Sequence, residues 1–437
     1  MSYPAFPDFN KKIEYLTEYA RLKHEYGADP GCIAREINAA ASALEVAIKK
    51  IIELENCKEL RKKEPDDYGE ILKLRPDGPR RIWLSIDEKV FADKLAGAFI
   101  GRAAGCTLGA PVEFWSVEAM ESWAAHVGDA FPPTDYWSAV PYPFHKRYGK
   151  SPCSAYTRGG LDGIPVDDDL AYTLLGLLIM EDYGPDFSIA DAGAAWLKYL
   201  PYACTAEDVA LRNMRNGIAA EDAADFENPY CQWIGADIRS DPWGYLAPGW
   251  PEKAAEFAYR DAYLSHRRNG VYGEMFFSAV ISAAFTTANS LDAVKIGLTE
   301  IPAECALYKD VEWALDAEGS IKNYKKARSA VDKRFEGQSG VHTNLNACLT
   351  VFGLSIGGGD FTKVISETVA MGQDNDCTAA TAGSVAGAVL GKDAIPKYWY
   401  KNFNNKVESY LIGNDSFALD GLLARFEKQA KLVHSMK

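Results

Sequence analysis

The sequence predicts an all-α protein, and three observations support this fold class. Helical periodicity recurs along the 437-residue chain, whereas clear strand-like alternation of apolar and polar residues does not. Two segments carry glycine at every fourth position, a spacing that places the glycines on one helix face. Two acidic clusters, Asp167–Asp169 and Asp374–Asp376, each open an apolar helix-like run.

Residues 1–87 are predicted to form an N-terminal helical extension and linker. Residues 8–26 and 30–55 have the pattern of two amphipathic helices, and the Gly-Ala-Asp-Pro-Gly turn at 27–31 joins them into a hairpin. The stretch 59–81 is charged and interrupted by proline and glycine, which is typical of a linker. The main domain is then expected at 88–437.

The main domain is predicted to contain at least eight helices separated by two long irregular segments. The irregular segments, 128–166 and 225–249, are rich in aromatic residues, proline and glycine, so they either bind a ligand or fasten a loop to the core. The predicted helices are 88–108, 168–183, 250–266, 272–288, 302–315, 342–354, 361–371 and 377–391.

The glycine rows predict the centre of this domain. Gly97, Gly101, Gly105 and Gly109 form one row, and 383, 387 and 391 form the other. Each glycine inside a helix costs about 1 kcal/mol relative to alanine, so a row is tolerated where another backbone approaches closely. We therefore expect the two helices to pack together and to bring the acidic clusters near each other.

Composition excludes several classes of partner. A net charge of −14 is unsuited to nucleic acid or an anionic membrane, and we find no apolar run of membrane-spanning length. The opening residues also lack the pattern of a signal peptide. Nine scattered cysteines without a C-x-x-C pair indicate thiols in a reducing compartment. We expect a cytoplasmic protein.

The acidic clusters have two interpretations. Acids at helix N-termini commonly cap N–H groups and complement the helix dipole, and each cluster alone favours that interpretation. Five acids at the ends of apolar helices instead favour a site for hard divalent cations, since oxygen ligands suit magnesium, manganese or calcium. An EF-hand is excluded because loop position twelve is Val385, and the phosphatase-like D-N-D-C-T sequence lacks a preceding strand.

Four motifs together resemble the ADP-ribosylglycohydrolase family. They are GAFIGRAAGCTLGAPVE at 97–113, VDDDLAYT at 166–173, SHRRNGVYGEMFF at 265–277 and MGQDNDCTAATAGSVAGAVLG at 371–391. The resemblance covers roughly residues 88–400. It implies a compact multi-helix orthogonal bundle with two Mg²⁺ ions, for which Mn²⁺ or Ca²⁺ could substitute.

The resemblance also implies which residues bind metal. Val166 and Cys377 stand where the family has ligating hydroxyls, as in a bacterial subgroup with D-D-D and D-x-D-C motifs, and Asp169 could replace a lost ligand. The predicted metal ligands are Asp167, Asp168, Asp169, Asp374 and Asp376.

Glu113 matches the family's glutamate beside the metals and is the predicted catalytic acid–base. By the same resemblance, Asn269 and Gly270 are predicted to bind substrate. His342 and Asn346, which are four residues apart and so share one face of a predicted helix, are the other predicted substrate-binding residues. The implied function is hydrolysis of a ribosyl N- or O-glycosidic bond in an ADP-ribosylated protein or an ADP-ribose derivative. A free nucleoside or other small glycoside is the alternative substrate, and a non-catalytic, crystallin-like protein is the alternative class.

Overall fold

The computed structural model describes residues 6–436, and helices dominate that range as the sequence predicts. The helices of the first half are α1 (Pro7–Glu25), α2 (Pro30–Ile52), α3 (Lys58–Lys63), α4 (Tyr68–Leu74), α5 (Glu88–Gly109), α6 (Val117–Val127), α7 (Asp168–Tyr183), α8 (Ile189–Tyr199) and α9 (Thr205–Arg215). Those of the second half are α10 (Asp241–Leu246), α11 (Pro251–Ala262), α12 (Asn269–Ala284), α13 (Ser290–Leu298), α14 (Ala306–Asp316), α15 (Tyr324–Arg334), α16 (Thr343–Gly357), α17 (Phe361–Ala370), α18 (Asn375–Leu390) and α19 (Leu419–His434).

Two short hairpins supplement the helices. The first pairs β1 (Lys146–Arg147) with β2 (Ser151–Pro152), and the second pairs β3 (Lys406–Leu411) with β4 (Asn414–Ala418), both antiparallel. The first hairpin lies within the segment 128–166 that the sequence marks as irregular. These four strands do not change the all-α class.

The chain divides into two compact units, the first containing the residues up to Lys62 together with 335–338. This unit contains the predicted hairpin of α1 and α2. Gly27 adopts a φ of +79° in the turn, and the Asp29 carboxylate accepts a hydrogen bond from the N–H of Cys32, which caps α2. No residue of α2 is buried, so several of its apolar side chains face solvent.

The second unit begins at Lys63 and therefore includes most of the predicted linker. Arg75 and Arg80 both form ion pairs with the buried carboxylate of Glu300, at 2.5 and 2.9 Å. The carboxylate of Glu64 accepts a hydrogen bond from the N–H of Ala306 at 2.8 Å. Charged side chains of this segment therefore form ion pairs and hydrogen bonds within the main unit. A solvated linker would not need such contacts.

Helices α5 and α18 pack backbone against backbone, as the glycine rows predict. A Cβ atom on Gly101 would lie 2.2 Å from the carbonyl oxygen of Gly383, and the reciprocal distance is also 2.2 Å. At the other end of the contact, a Cβ on Gly109 would lie 2.4 Å from Cα of Asp376. The end of α5 therefore meets the start of α18. Glu88–Val112 is long and apolar enough to cross a membrane, but 94% of its most apolar window is buried inside the protein, as expected for a central core helix.

Replacing Gly101 by alanine should strongly destabilise the main unit. The new methyl group would meet a backbone carbonyl that cannot move without separating the two helices, so we expect a loss of about 3 kcal/mol in the free energy of unfolding. Urea denaturation measures the loss. Gly319→Ala is the matched control because no atom lies within 4 Å of its Cβ position. Equal stability of the two variants would contradict the close helix contact.

Aromatic side chains fasten the segment 128–166 to the core. The hydroxyl of Tyr136 donates to the carbonyl of Trp399 at 2.7 Å, and the indole N–H of Trp137 donates to the carbonyl of Leu108 at 3.1 Å. Tyr156 is buried and donates to the carbonyl of Val166. These contacts favour the loop-fastening interpretation for the buried aromatics. Tyr142 and Phe144 in the same segment are exposed.

Candidate active site and metal centre

The acids predicted as metal ligands lie at the starts of two helices, α7 and α18, and the predicted acid–base lies near the end of a third, α5. Asp167 is the residue before α7, and Asp374 is the residue before α18. Glu113 follows the 3-10 turn that ends α5, and the antiparallel packing of α5 and α18 places it beside the second acidic cluster. The structure therefore brings both halves of the predicted site to one place.

Two groups of side chains have potential metal-ligating atoms within 4.8 Å of one another. The first group is Cys106, Asp167 and Asp169, and the second is Glu113, Asp374 and Asp376. All except Glu113 are buried. Oxygen donors make up the whole second group, whereas the first includes a sulfur that is unsuited to magnesium.

A cavity of about 210 Å³ opens beside these groups. Its lining combines six acidic residues with aromatic and apolar side chains. The residues that line it are Glu113, Phe114, Tyr148, Asp168, Asp169, Tyr172, Cys204, Thr205, Glu207, Trp233, Ile234, Gly235, Ile238, Val341, Asp374, Asp376 and Cys377.

Helix capping accounts for part of the first cluster but not for the second. The carboxylates of Asp167 and Asp168 accept hydrogen bonds from the N–H of Asp169, at 3.2 and 3.1 Å. Asp374 occupies the equivalent position of α18, but its side chain makes no capping hydrogen bond. One carboxylate oxygen of Asp376, Oδ1, is buried and has no hydrogen-bond partner. A buried oxygen without a hydrogen-bond partner is unfavourable, and a bound cation would provide the missing partner.

The electrostatics of the second cluster also favour a bound cation. Burial raises the pKa of Asp374 well above its usual value, and repulsion from Asp376 raises it further. Burial likewise raises the pKa of Asp376, with repulsion from Glu113 as the next cause. For Asp168, burial and the neighbouring Asp167 raise the pKa to about 6. Because divalent cations stabilise ionised carboxylates, the donor set fits a hard metal ion.

Arg147 is the central residue that sequence reasoning missed. Its guanidinium donates to Glu113 Oε2 at 2.8 Å, to Asp376 Oδ2 at 3.0 Å and to Asp167 Oδ2 at 3.1 Å. It thus connects the two groups of potential ligands. Arg147 lies in β1, within a segment that the sequence predicts to be irregular, so no periodicity could place it at the site.

The turn after β1 positions a second unpredicted residue. Tyr148 and Gly149 adopt φ values of +49° and +69°, and the N–H of Lys150 donates to the carbonyl of Arg147 at 3.0 Å. The hydroxyl of Tyr148 donates to Asp168 Oδ1 at 2.5 Å. The hairpin therefore directs both an arginine and a tyrosine onto the acids.

Phe114 lies at the cavity beside Glu113 in a strained conformation. Its φ is +61° and 56% of its surface is exposed, both of which are unusual for a phenylalanine. Its N–H donates to the carbonyl of Gln373, which has a φ of +63°, at 3.0 Å. Backbone strain of this kind concentrates at functional sites. The exposed ring offers a stacking face for a planar group at the cavity.

Glu207 is a further acid of the cavity that the sequence did not reveal. It lies in the first turn of α9, is 2% exposed, and its Oε1 atom has no hydrogen-bond partner. Burial raises the pKa of Glu207 to about 7, and the positive charge of Arg239 only partly opposes that shift. Glu207 is therefore a second cavity-lining glutamate whose carboxyl group changes protonation near neutral pH.

Replacing Glu207 by glutamine should change the pH dependence of stability. In the unfolded chain the carboxyl ionises near pH 4.5, whereas in the folded protein its pKa is about 7. Between these values the wild-type protein loses stability as pH rises, by about 3 kcal/mol in total. We expect the stability of Glu207→Gln relative to wild type to rise by about that amount from pH 4.5 to pH 8 in urea denaturation. The exposed Glu312→Gln is the control, and parallel curves for Glu207→Gln and wild type would contradict the assignment.

Asn269 and Gly270, predicted to bind substrate, do not line the cavity. The Asn269 side chain donates to Gln232 at 2.9 Å and accepts from the N–H of Leu307 at 3.0 Å. A Cβ on Gly270 would lie 2.4 Å from the carbonyl oxygen of Cys231. Both residues thus make close contacts within the protein at the start of α12.

His342 and Asn346, also predicted to bind substrate, lie at the start of α16 and do not line the cavity. His342 Nδ1 accepts a hydrogen bond from the N–H of Asn344 at 3.2 Å, and burial lowers the pKa of His342 to about 4. Asn346 donates to the carbonyls of Gly340 and His342, at 2.9 and 3.1 Å. The neighbour of His342, Val341, does line the cavity, so the N-terminus of α16 is adjacent to it.

Arg102 forms buried ion pairs that hold the first acidic cluster in place. It is fully buried within α5 and forms ion pairs with Asp169 at 3.2 Å and with Asp241 at 2.6 Å. Its guanidinium also donates to the main-chain carbonyl of Asp169 at 2.7 Å. This contact fixes the third residue of the first acidic cluster. Asp169 nevertheless lines the cavity.

The two departures from the family's ligand pattern are both buried. Val166 offers no ligating side chain, and its carbonyl accepts the hydroxyl of Tyr156. Cys377 lines the cavity, but burial raises the pKa of its thiol well above the usual value, so the thiol remains protonated. Neither residue replaces the hydroxyl ligand that the family has at its position.

The fold and the cavity define the class of protein: an all-α protein with a carboxylate-lined site of the kind that enzymes use. The sequence model of the family described as ADP-ribosylglycohydrolase matches residues 87–430, and the chain therefore belongs to the ADP-ribosylglycohydrolase family, which is a family of hydrolases. A solved structure described as "ADP-ribosylglycohydrolase-related protein complex" is 21% identical, with a TM-score of 0.48, and the match covers 80% of this chain and 99% of that one. No curated protein matches this chain.

Proposed function

We propose that the protein is a metal-dependent glycoside hydrolase that cleaves a ribosyl N- or O-glycosidic bond. The observation that carries this proposal is the buried, unpartnered Oδ1 atom of Asp376, a residue that lines the cavity and has a potential ligating atom within 4.8 Å of those of Asp374 and Glu113. Asp374 and Asp376 would hold a divalent cation, with magnesium first and manganese or calcium as substitutes. Such a cation supplies positive charge that orients ribose hydroxyls and lowers the pKa of a bound water.

Glu113 is the proposed acid–base. It is the only member of its group that is partly exposed, so a substrate in the cavity can reach it. Burial raises the pKa of Glu113, while the adjacent Arg147 opposes that rise. Because burial and Arg147 shift the pKa of this carboxyl group in opposite directions, the group can accept a proton from an attacking water and return it to a leaving group. Arg147 would keep the carboxylate oriented towards the anomeric carbon.

The cavity limits what part of a substrate is enclosed. Pockets that bury a drug-sized ligand have about 300–1,000 Å³, whereas this cavity has about 210 Å³. It therefore suits the ribose and the bond to be cleaved, with the remainder of the substrate outside. Phe114, exposed beside Glu113, is the proposed stacking partner for a planar group there. An ADP-ribosylated protein or an ADP-ribose derivative is the first proposed substrate.

One observation favours a second candidate substrate. Within the described part of the chain, no lysine or arginine is among the residues that line the cavity. A diphosphate would need basic groups or a nest of N–H donors near the ribose. A free nucleoside or another small ribosyl compound needs neither. The same residues would then act on a different leaving group.

A hydrolysis screen tests both candidates. The purified protein with Mg²⁺ or Mn²⁺ would be offered ADP-ribosyl-arginine, ADP-ribosyl-serine, O-acetyl-ADP-ribose and a panel of nucleosides, with products measured by mass spectrometry. We expect ribosyl-bond cleavage that falls about 10²–10⁴-fold in Glu113→Gln. Glu118→Gln, an exposed glutamate in α6, is the matched control. Cleavage unaffected by Glu113→Gln would remove Glu113 from the chemistry, and no cleavage by metal-loaded protein would contradict the proposed function.

The proposed setting is the cytoplasm, without nucleic acid or membrane partners. The acidic net charge of −14 and the nine cysteines, none of them in a disulfide, support this setting.

A further inference from the structure

The side chain of Arg147 lies at the place where the two groups of potential metal ligands meet. Its contacts with Glu113 and Asp376 reach the second group, and its contact with Asp167 reaches the first. A guanidinium is always charged, and its planar fork of donors matches carboxylate oxygens. It therefore supplies at this point the positive charge that a cation would otherwise supply.

In the first group of potential ligands, three of the four carboxylate oxygens accept hydrogen bonds from protein donors. Asp167 accepts from the N–H of Asp169 through Oδ1 and from Arg147 through Oδ2, at 3.2 and 3.1 Å. Asp169 accepts from Arg102 through Oδ1 at 3.2 Å. The third member, Cys106, is a buried thiol rather than an oxygen donor. Most of the carboxylate oxygens in this group therefore already have a protein donor.

The second group keeps an oxygen without a protein donor. Arg147 contacts only Oδ2 of Asp376 and Oε2 of Glu113. Asp376 Oδ1 has no hydrogen-bond partner although it is buried. Asp374, the third member, makes no capping hydrogen bond to α18. The two groups are therefore unequal: both carboxylates of the first accept hydrogen bonds from arginines, Arg147 and Arg102, whereas the second, although Arg147 also contacts it, keeps a buried oxygen without a partner.

The protein holds Arg147 firmly at this position. The guanidinium also donates to the carbonyl of Ala110 at 2.9 Å, and its side chain is 14% exposed. Across the hairpin, Ser151 accepts the N–H of Val166 at 3.1 Å and donates to Glu408 at 2.7 Å. These contacts fasten the hairpin on both sides of the arginine, so displacing Arg147 would require several hydrogen bonds to break.

We propose that Arg147 is a built-in cation that takes the place of one metal ion, so that the protein binds a single divalent ion, held by Asp374 and Asp376 beside Glu113. This inference rests on the proposed function, because it concerns the same site. Arg147 acts as a positioning residue: it donates hydrogen bonds to acids of both groups and cannot itself coordinate a water molecule. Its charge is retained when the protein is stripped of metal.

The test counts metal ions. Full-length protein would be stripped with a chelator, dialysed against Mn²⁺ and analysed for manganese per chain by native mass spectrometry. We expect one Mn²⁺ in the wild type, one in Arg147→Lys, which keeps the positive charge, and two in Arg147→Met and Arg147→Gln, which lose it. Arg158→Met, an arginine of the same segment that pairs with Asp129, should keep one ion.

The outcomes separate this inference from the proposed function. Two Mn²⁺ ions in the wild-type protein would overturn the inference, whatever the variants do, and would leave the hydrolase proposal intact. One ion in folded Arg147→Met and Arg147→Gln would also overturn it. If these variants fold only when Mn²⁺ is present, the count is taken on the loaded protein, and two ions support the inference. No bound ion in the wild type would contradict the metal site of the proposed function as well.

Discussion

Replacing both Asp374 and Asp376 by asparagine is expected to abolish divalent-metal binding and lower the hydrolysis rate by about 10³-fold or more. The pair provides two of the three oxygen-donating side chains of the second group of potential ligands, Glu113, Asp374 and Asp376. Asparagine keeps the size of each side chain but removes the charge that attracts the ion. Loss of the Mn²⁺-dependent rise in melting temperature is the direct readout, since a ligand that binds only the folded state stabilises it.

The same double variant should be more stable than the wild type in the absence of metal. Burial raises the pKa values of Asp374 and Asp376, and repulsion from a neighbouring acid, Asp376 for the first and Glu113 for the second, raises them further, so the folded state disfavours their charged forms near neutral pH. Asparagine removes that cost. Asp393→Asn, an exposed acid after α18, should change neither property. A Mn²⁺-dependent shift that persists in the double variant would refute the ligand assignment.

Arg102→Met should produce the largest loss of stability in the main unit. The substitution leaves the carboxylates of Asp169 and Asp241 buried without their ion-pair partner, and it breaks hydrogen bonds to the hydroxyl of Thr173 and the carbonyl of Ile238. Removing one partner of a buried ion pair costs about 3–5 kcal/mol. Urea denaturation at pH 7 is the measurement.

A second substitution distinguishes the charge effect from a packing effect. Arg102→Met combined with Asp241→Asn should recover part of the lost stability, because one of the two stranded charges is removed. The exposed Arg158→Met is the control for loss of an arginine. A loss below about 1 kcal/mol in Arg102→Met would show that the buried pair does not support the site.

The sequence predicted the parts of this fold that have local periodicity. The spacing of Gly101 and Gly383 required a close backbone partner, and the structure pairs these two glycines with each other. That contact places Glu113 beside the second acidic cluster, and the first cluster, at the start of α7, lines the same cavity. The site's acids were therefore accessible to reasoning because they lie at the ends of predictable helices.

The other residues of the site lie in segments whose sequence has no helical periodicity, or on helices that the sequence did not single out. Arg147 and Phe114 lie outside predicted helices, and their positions depend on long-range contacts with Asp167 and Gln373. Glu207 is on the amphipathic helix α9, which carries several polar residues. The sequence does not show which of them is buried, and burial is what distinguishes Glu207. For Asn269 the motif predicted a contact with substrate, whereas in the structure its side chain forms hydrogen bonds with Gln232 and with the N–H of Leu307.

The most direct test of a divalent-metal centre at α18 is anomalous diffraction from crystals soaked in Mn²⁺. We expect an anomalous peak about 2 Å from carboxylate oxygens of Asp374 and Asp376, facing the cavity that Glu113 lines. Data from the Asp374→Asn, Asp376→Asn variant should lack this peak. A soaked wild-type crystal with no peak in this cavity, or with manganese only elsewhere on the protein, would contradict the metal centre and the mechanism built on it.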